Sequence, residues 1–102
     1  MVGQILVNQW GYSMALVDFY QVVDETQKTI TVREIEGRRV EDNGPAGARV
    51  VALADNFASD KTYRAIKSKY VPNEWRSKLS HVGRTSTLRV WDGKSVYYND
   101  WD

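Results

Sequence analysis

Leu16-Val17-Asp18-Phe19-Tyr20-Gln21-Val22-Val23-Asp24, then Glu25-Thr26-Gln27-Lys28, then Thr29-Ile30-Thr31-Val32-Arg33, is the stretch on which the fold is decided. Val17, Phe19 and Val23 fall on one side of an extended segment and Tyr20 and Val22 on the other, so residues 16–24 read as a strand covered on both faces. The polar residues that follow supply a turn, and Thr29 to Arg33 resumes with strict polar/apolar alternation. Together they predict a hairpin over 16–33. After Arg33 the phase breaks, because Ile35 shares the parity of Thr31 and Arg33 and not that of Ile30 and Val32. A bulge or a bend onto another sheet is expected there.

Working outward, residues 37–48 gather Gly37, Asn43, Gly44, Pro45 and Gly47 among charges and read as the longest exposed loop of the chain. The loop has no Lys-Ser/Thr pair opening a helix, so it is not a phosphate cradle. Arg49 to Leu53 is a short strand. Over 59–70 Tyr63, Ile66 and Tyr70 fit a helical face, whereas Lys67 and Lys69 share a strand face; strand is the preferred reading. Pro72 ends that element, and residues 73–79 suit a turn or two of helix. Asp92-Gly93 between two alternating runs predicts a tight hairpin with both turn residues at positive φ. Its register places Thr87, Arg89, Trp91, Lys94, Val96 and Tyr98 on an outer face and Leu88, Val90, Ser95 and Tyr97 toward the core.

Six or seven short strands without a repeat or linker give a mainly β single domain spanning 1–102, a small antiparallel barrel or roll of SH3-like type. One short helix between residues 59 and 79 is the variant, and an open sheet carrying that helix is the alternative architecture. A chain of 102 residues holds one such core.

The absence of cysteine from the sequence removes disulfides, zinc knuckles and thiol nucleophiles, and favours a cytoplasmic setting. Ile5-Leu6-Val7 is too short for a membrane span or a signal-peptide core. The single histidine, His81, follows Ser80, and chain neighbours do not face each other as a nucleophile and base must. Neither Asp55 to Asp60 nor Asp100 to Asp102 has calcium-loop spacing. No catalytic residue, metal or cofactor is therefore expected. An enzyme with a carboxylate pair beside His81 ranks last.

The net charge of +1 hides an uneven distribution: between Lys61 and Lys94 nine Lys/Arg face only Glu74 and Asp92, a net of +7. Four tryptophans and six tyrosines supply contact area at low entropic cost. Trp10, Tyr12, Phe19 and Tyr20 are expected in the core, and Trp75, Trp91, Tyr98 and Trp101 at the surface. Binding residues are accordingly expected at Lys67, Lys69, Arg84, Arg89, Trp91, Lys94 and Tyr98, with cations on phosphates and rings on bases, or as a protein hot spot.

Gln9-Trp10-Gly11-Tyr12, the Val17-Asp18-Phe19-Tyr20-Gln21-Val22-Val23 run with its hairpin return, and Trp91-Asp92-Gly93 together resemble a group of small uncharacterised proteins encoded by phages, plasmids and other mobile elements of bacteria. The likeness covers roughly residues 9–36 and 88–93, and Ser13 departs from the acidic or amide residue of that group. It implies a mobile-element origin and a β-rich fold. The functional expectation is a small non-enzymatic binder of a host or phage protein, for example an inhibitor of a defence factor. Nucleic-acid binding through 61–98 is the alternative. No membrane partner is expected, and the chain is read as a monomer or homodimer.

Overall fold

The computed structural model describes residues 1–10, 16–42, 48–69, 71–78 and 85–98. Seven strands, β1 (Ile5–Trp10), β2 (Leu16–Glu25), β3 (Thr29–Asp42), β4 (Ala48–Lys67), β5 (Glu74–Lys78), β6 (Thr85–Val90) and β7 (Val96–Tyr98), form one antiparallel sheet. Their hydrogen-bonded order is β3-β2-β1-β6-β5-β4-β7, and a further β3–β4 pairing joins the ends of the six-strand run. Six strands thus make a ring, with β7 attached to the first residues of β4. The mainly β architecture is the one the patterning predicts, with seven strands where six or seven are expected.

The 16–33 hairpin is the frame. Tyr20 faces Glu34 and Val22 faces Val32. The turn is closed by the Thr26 N–H donating to the Thr29 carbonyl at 2.8 Å, with the two threonine hydroxyls 2.8 Å apart. Both faces of β2 are covered, as its doubled apolar pattern requires. Tyr20 and Val22 join Leu6, Ile30, Val32, Ala65, Trp75 and Leu88 in a core to which every strand of the ring contributes, which makes it the interior. Phe19 and Val17 lie on the reverse face, in a second core with Val7 and Ile35.

That second core exists because the β3–β4 hairpin is bent. Arg33 pairs with Thr62 but Ile35 with Phe57, and Gly37 with Ala52, so β4 twice spends more residues than β3 over the same span. The extra residues bulge and swing the far arm of the hairpin across the back of β1 and β2. Val50, Ala52 and Phe57 come down on Phe19 and Ile35. The phase break at Ile35 is this bend. Gln21 pins it: the buried Gln21 amide accepts from the Asp55 backbone N–H and donates to the Asp55 carboxylate, both at 2.8 Å. Asp55 holds a φ of 63°, a left-handed conformation that Asp tolerates better than most residues. Gly37 is required nearby, since a Cβ there would stand 3.1 Å from the Phe19 ring.

Four expectations are corrected. Residues 37–48 are not a loop, because β3 runs to Asp42 and β4 begins at Ala48; only 43–47 lie outside the described residues. No helix forms among the described residues of 59–79, where β4 continues to Lys67 and β5 occupies Glu74–Lys78. Strand pairing on both sides absorbs that ambiguous periodicity, with Ala65, Ser77 and Ser86 aligned across three strands. Trp75 is buried, not surface-exposed, because it and Ser77 are the alternate residues of β5 that face the ring interior.

The fourth correction concerns the Asp92-Gly93 hairpin. β6 pairs with β1 and β5, while β7 pairs with β4, Val96 facing Val50. Gly93 alone of the two turn residues has positive φ, at 86°. The Asp92 carboxylate accepts from the Lys94 N–H at 2.9 Å, and the Trp91 indole N–H donates to the Lys94 carbonyl at 2.7 Å. These bonds make a wide turn in place of a tight one. Trp91 and Val96, expected outside, then pack into the second core, and Tyr97, expected inside, is exposed.

Candidate binding cleft

The end of β6, the outer face of β1 and the β7 segment enclose a cleft of about 360 Å³. Gln9, Arg49, Arg89, Trp91, Val96 and Tyr97 are among the residues lining it. Trp91 forms its base. The indole meets Phe19 edge to face, ring centroids 5.7 Å apart at 68°, and its backbone N–H donates to the Ile5 carbonyl at 2.9 Å. Pinned by its core contact, by that bond and by the bond to Lys94, the indole is a fixed surface.

Two guanidinium groups flank this ring. Arg49 donates from Nε to the Ser95 hydroxyl and from a terminal nitrogen to the Ser95 carbonyl, each at 2.8 Å. Arg89 is exposed, donates to the Gln9 side-chain carbonyl, and has no carboxylate partner among the described residues. A planar fork next to an aromatic floor suits a carboxylate carried beside an apolar group.

The other expected binding residues are distributed differently. Lys94 is exposed but stands outside the lining of the cleft. Tyr98 pairs through its backbone with Ala48, and its side chain lies outside the described residues. Arg84 and His81 lie outside them as well, as do Tyr12 and Trp101 and the side chain of Trp10. Lys67 faces Trp75, which faces Leu88, whereas Arg89 is the next residue along β6; Lys67 and Arg89 therefore sit on opposite faces of the sheet. Lys69 follows β4 and, with Lys67, borders a separate hollow. The expected basic and aromatic surface is thus split in two. Arg49, Gln9 and Tyr97 were not anticipated. Only the long-range pairings of β4 with β7 and of β1 with β6 bring them to Arg89, and no local pattern encodes those.

A polar group also lies within the ring. Tyr20 is fully buried, with its ring edge-on to Tyr63 at 6.1 Å, and register sets Glu34 opposite it and Asp18 opposite Asn8. Burial, reinforced by the charges of Asp18 and Glu34 and by Tyr63, drives the Tyr20 phenol far above its ordinary value. Among the described residues no cluster of three or more His, Asp or Glu is placed to hold a metal ion, and no helix is long and apolar enough to cross a membrane.

Searches of protein-family models, curated proteins and solved structures find no match to this chain.

Proposed function

We propose that this protein is a small non-enzymatic binder whose partner is another protein, held at the Arg89–Trp91 cleft. The observation that carries this reading is the pairing of an exposed guanidinium, without an ion pair among the described residues, with a half-buried indole and an exposed tyrosine, Tyr97. Arg, Trp and Tyr are the residue types that dominate binding energy in protein interfaces. The cleft is open and shallow, as a docking point for a side chain or chain end is. The mobile-element likeness makes a host factor, such as a component of bacterial defence, the first class of partner.

Affinity capture from a bacterial lysate, run in parallel with wild-type protein and an Arg89→Ala/Tyr97→Ala variant, tests this. Both replaced side chains are exposed, so the variant keeps its fold, which its melting temperature checks. A stoichiometric protein retained by the wild type and lost by the variant is the expected result. Equal retention, or no retained protein at all, ends the reading.

A further inference from the structure

The outer face of β4 and β5 carries a second feature, independent of the cleft. Register places Ile66 opposite Arg76 and Arg76 opposite Thr87, and Arg64 opposite Thr31. The same register carried one residue on sets Lys78 beside Arg64. Arg64, Ile66, Arg76 and Lys78 are all exposed and border one broad hollow of about 490 Å³. Arg64, Arg76 and Lys78 have no carboxylate partner among the described residues; the nearby Arg33, by contrast, is paired with Asp60 at 2.9 Å. Lys67 and Lys69 border a neighbouring hollow with Ile66 and Arg76.

Like charges set opposite each other across a strand pair are destabilising, so this arrangement costs the fold something that an external polyanion would return. Protein partners prefer an interface core depleted of charge, and here the single large apolar side chain is Ile66, ringed by cations and threonines. Single-stranded nucleic acid calls for exposed rings on which bases stack, yet Trp75 is buried and Tyr63, which borders the hollow, is half-buried and packed edge-on against Tyr20. Backbone phosphates of a duplex need neither an apolar core nor rings. We infer that the β4–β5 outer face binds the phosphate backbone of double-stranded nucleic acid without reading its sequence, through Arg64, Arg76 and Lys78.

The test is fluorescence anisotropy of the full chain with a labelled mixed-sequence DNA duplex of about 20 base pairs, at about 50 and about 200 mM salt. With three phosphates neutralised, affinity falls about forty-fold between the two salt concentrations. Arg64→Gln, Arg76→Gln and Lys78→Gln each lower the salt slope by about one, and Arg38→Gln, on the folded-back arm where β3 pairs with the first residues of β4, leaves it unchanged. Circular dichroism and melting temperature confirm that these exposed substitutions preserve the fold. Absence of binding at the lower salt, or full binding by a variant that combines Arg64→Gln, Arg76→Gln and Lys78→Gln, overturns the inference. So does equal binding to poly-glutamate at matched charge, which would make the face a dock for acidic polypeptides. Register sets Arg89 on the same side of the sheet as Arg76, so the two readings are separated by Tyr97→Ala alone, on β7, which binds the duplex normally if the inference holds, whatever the fate of the cleft.

Discussion

Tyr20 lies wholly inside the ring with Asp18, Glu34 and Tyr63 as its electrostatic neighbours, and its titration is therefore tied to folding. Up to pH ~10 the folded and unfolded chains both keep the phenolic proton; above it the unfolded chain gives the proton up and the folded chain does not. Unfolding then releases a proton, so stability falls as pH rises, by about 1.4 kcal/mol per unit above pH ~10 from this group. Denaturant titrations at pH 9, 10 and 11 are expected to show that slope in the wild type and a shallower one in Tyr20→Phe. At Trp91 the prediction concerns packing. Trp91→Ala removes the edge-to-face contact with Phe19 and opens the second core, at an expected cost of about 2–3 kcal/mol in chemical denaturation. Tyr20 is legible as a core residue because it sits in a doubly apolar run. Trp91 is not: Asp92, Gly93 and Lys94 beside it suggest a surface turn, and only the fold shows Phe19 waiting beneath it.

Between β3 and β4 the decisive contact is one glutamine. Gln21→Ala leaves the Asp55 N–H without its acceptor and removes the second bond as well, an expected loss of about 1–3 kcal/mol. Hydrogen exchange should then quicken at 48–57 before it does at 62–66, because the clamp holds only the arm that folds back. Uniform acceleration along β4 would show that the two halves of the strand move together and that the clamp has no local role. Gly37→Ala should also destabilise, by about 1–3 kcal/mol, by pressing a methyl group against the Phe19 ring. The bend itself is legible at Ile35, whose parity is wrong for a continuing strand. Its extent is not, because the surplus residues 53–56 and 58–61 are polar and apolar in no order that alternation can reveal. The opposite failure occurs at Asp92-Gly93. A strong local turn preference is overridden once Trp91 and Val96 gain more from burial than a two-residue turn offers.

Across the whole molecule, the ring sorts chemistry by surface: apolar groups and the Tyr20 cluster within, a second apolar core under the folded-back arm, cations on the exposed β4–β5 face. Alternation at short spacing suffices to predict mainly β structure, six or seven strands and a small barrel or roll. It does not predict the strand order that closes the ring, which depends on which distant strands meet. The same limit governs the sites. Arg89 and Trp91 are visible as a basic and aromatic pair, but Gln9, Arg49 and Tyr97 reach them from three other strands. The nine bases of 61–94 are visible as a count, yet that Arg64, Arg76, Lys78 and Arg89 share one side of the sheet follows only from register.

β1 is hydrogen-bonded on one side to β2, its neighbour in sequence, and on the other to β6, with Leu6 against Val90. During synthesis that second side stays open until β6 has left the ribosome, exposing a bare strand edge next to Leu6 and Val7. Closure must then bring together strands as far apart in sequence as Leu6 and Val90, so folding is expected on the millisecond-to-second scale of high-contact-order β proteins. Stopped-flow refolding would measure it. The interval before β6 docks is when this protein is most open to association with other nascent copies of itself.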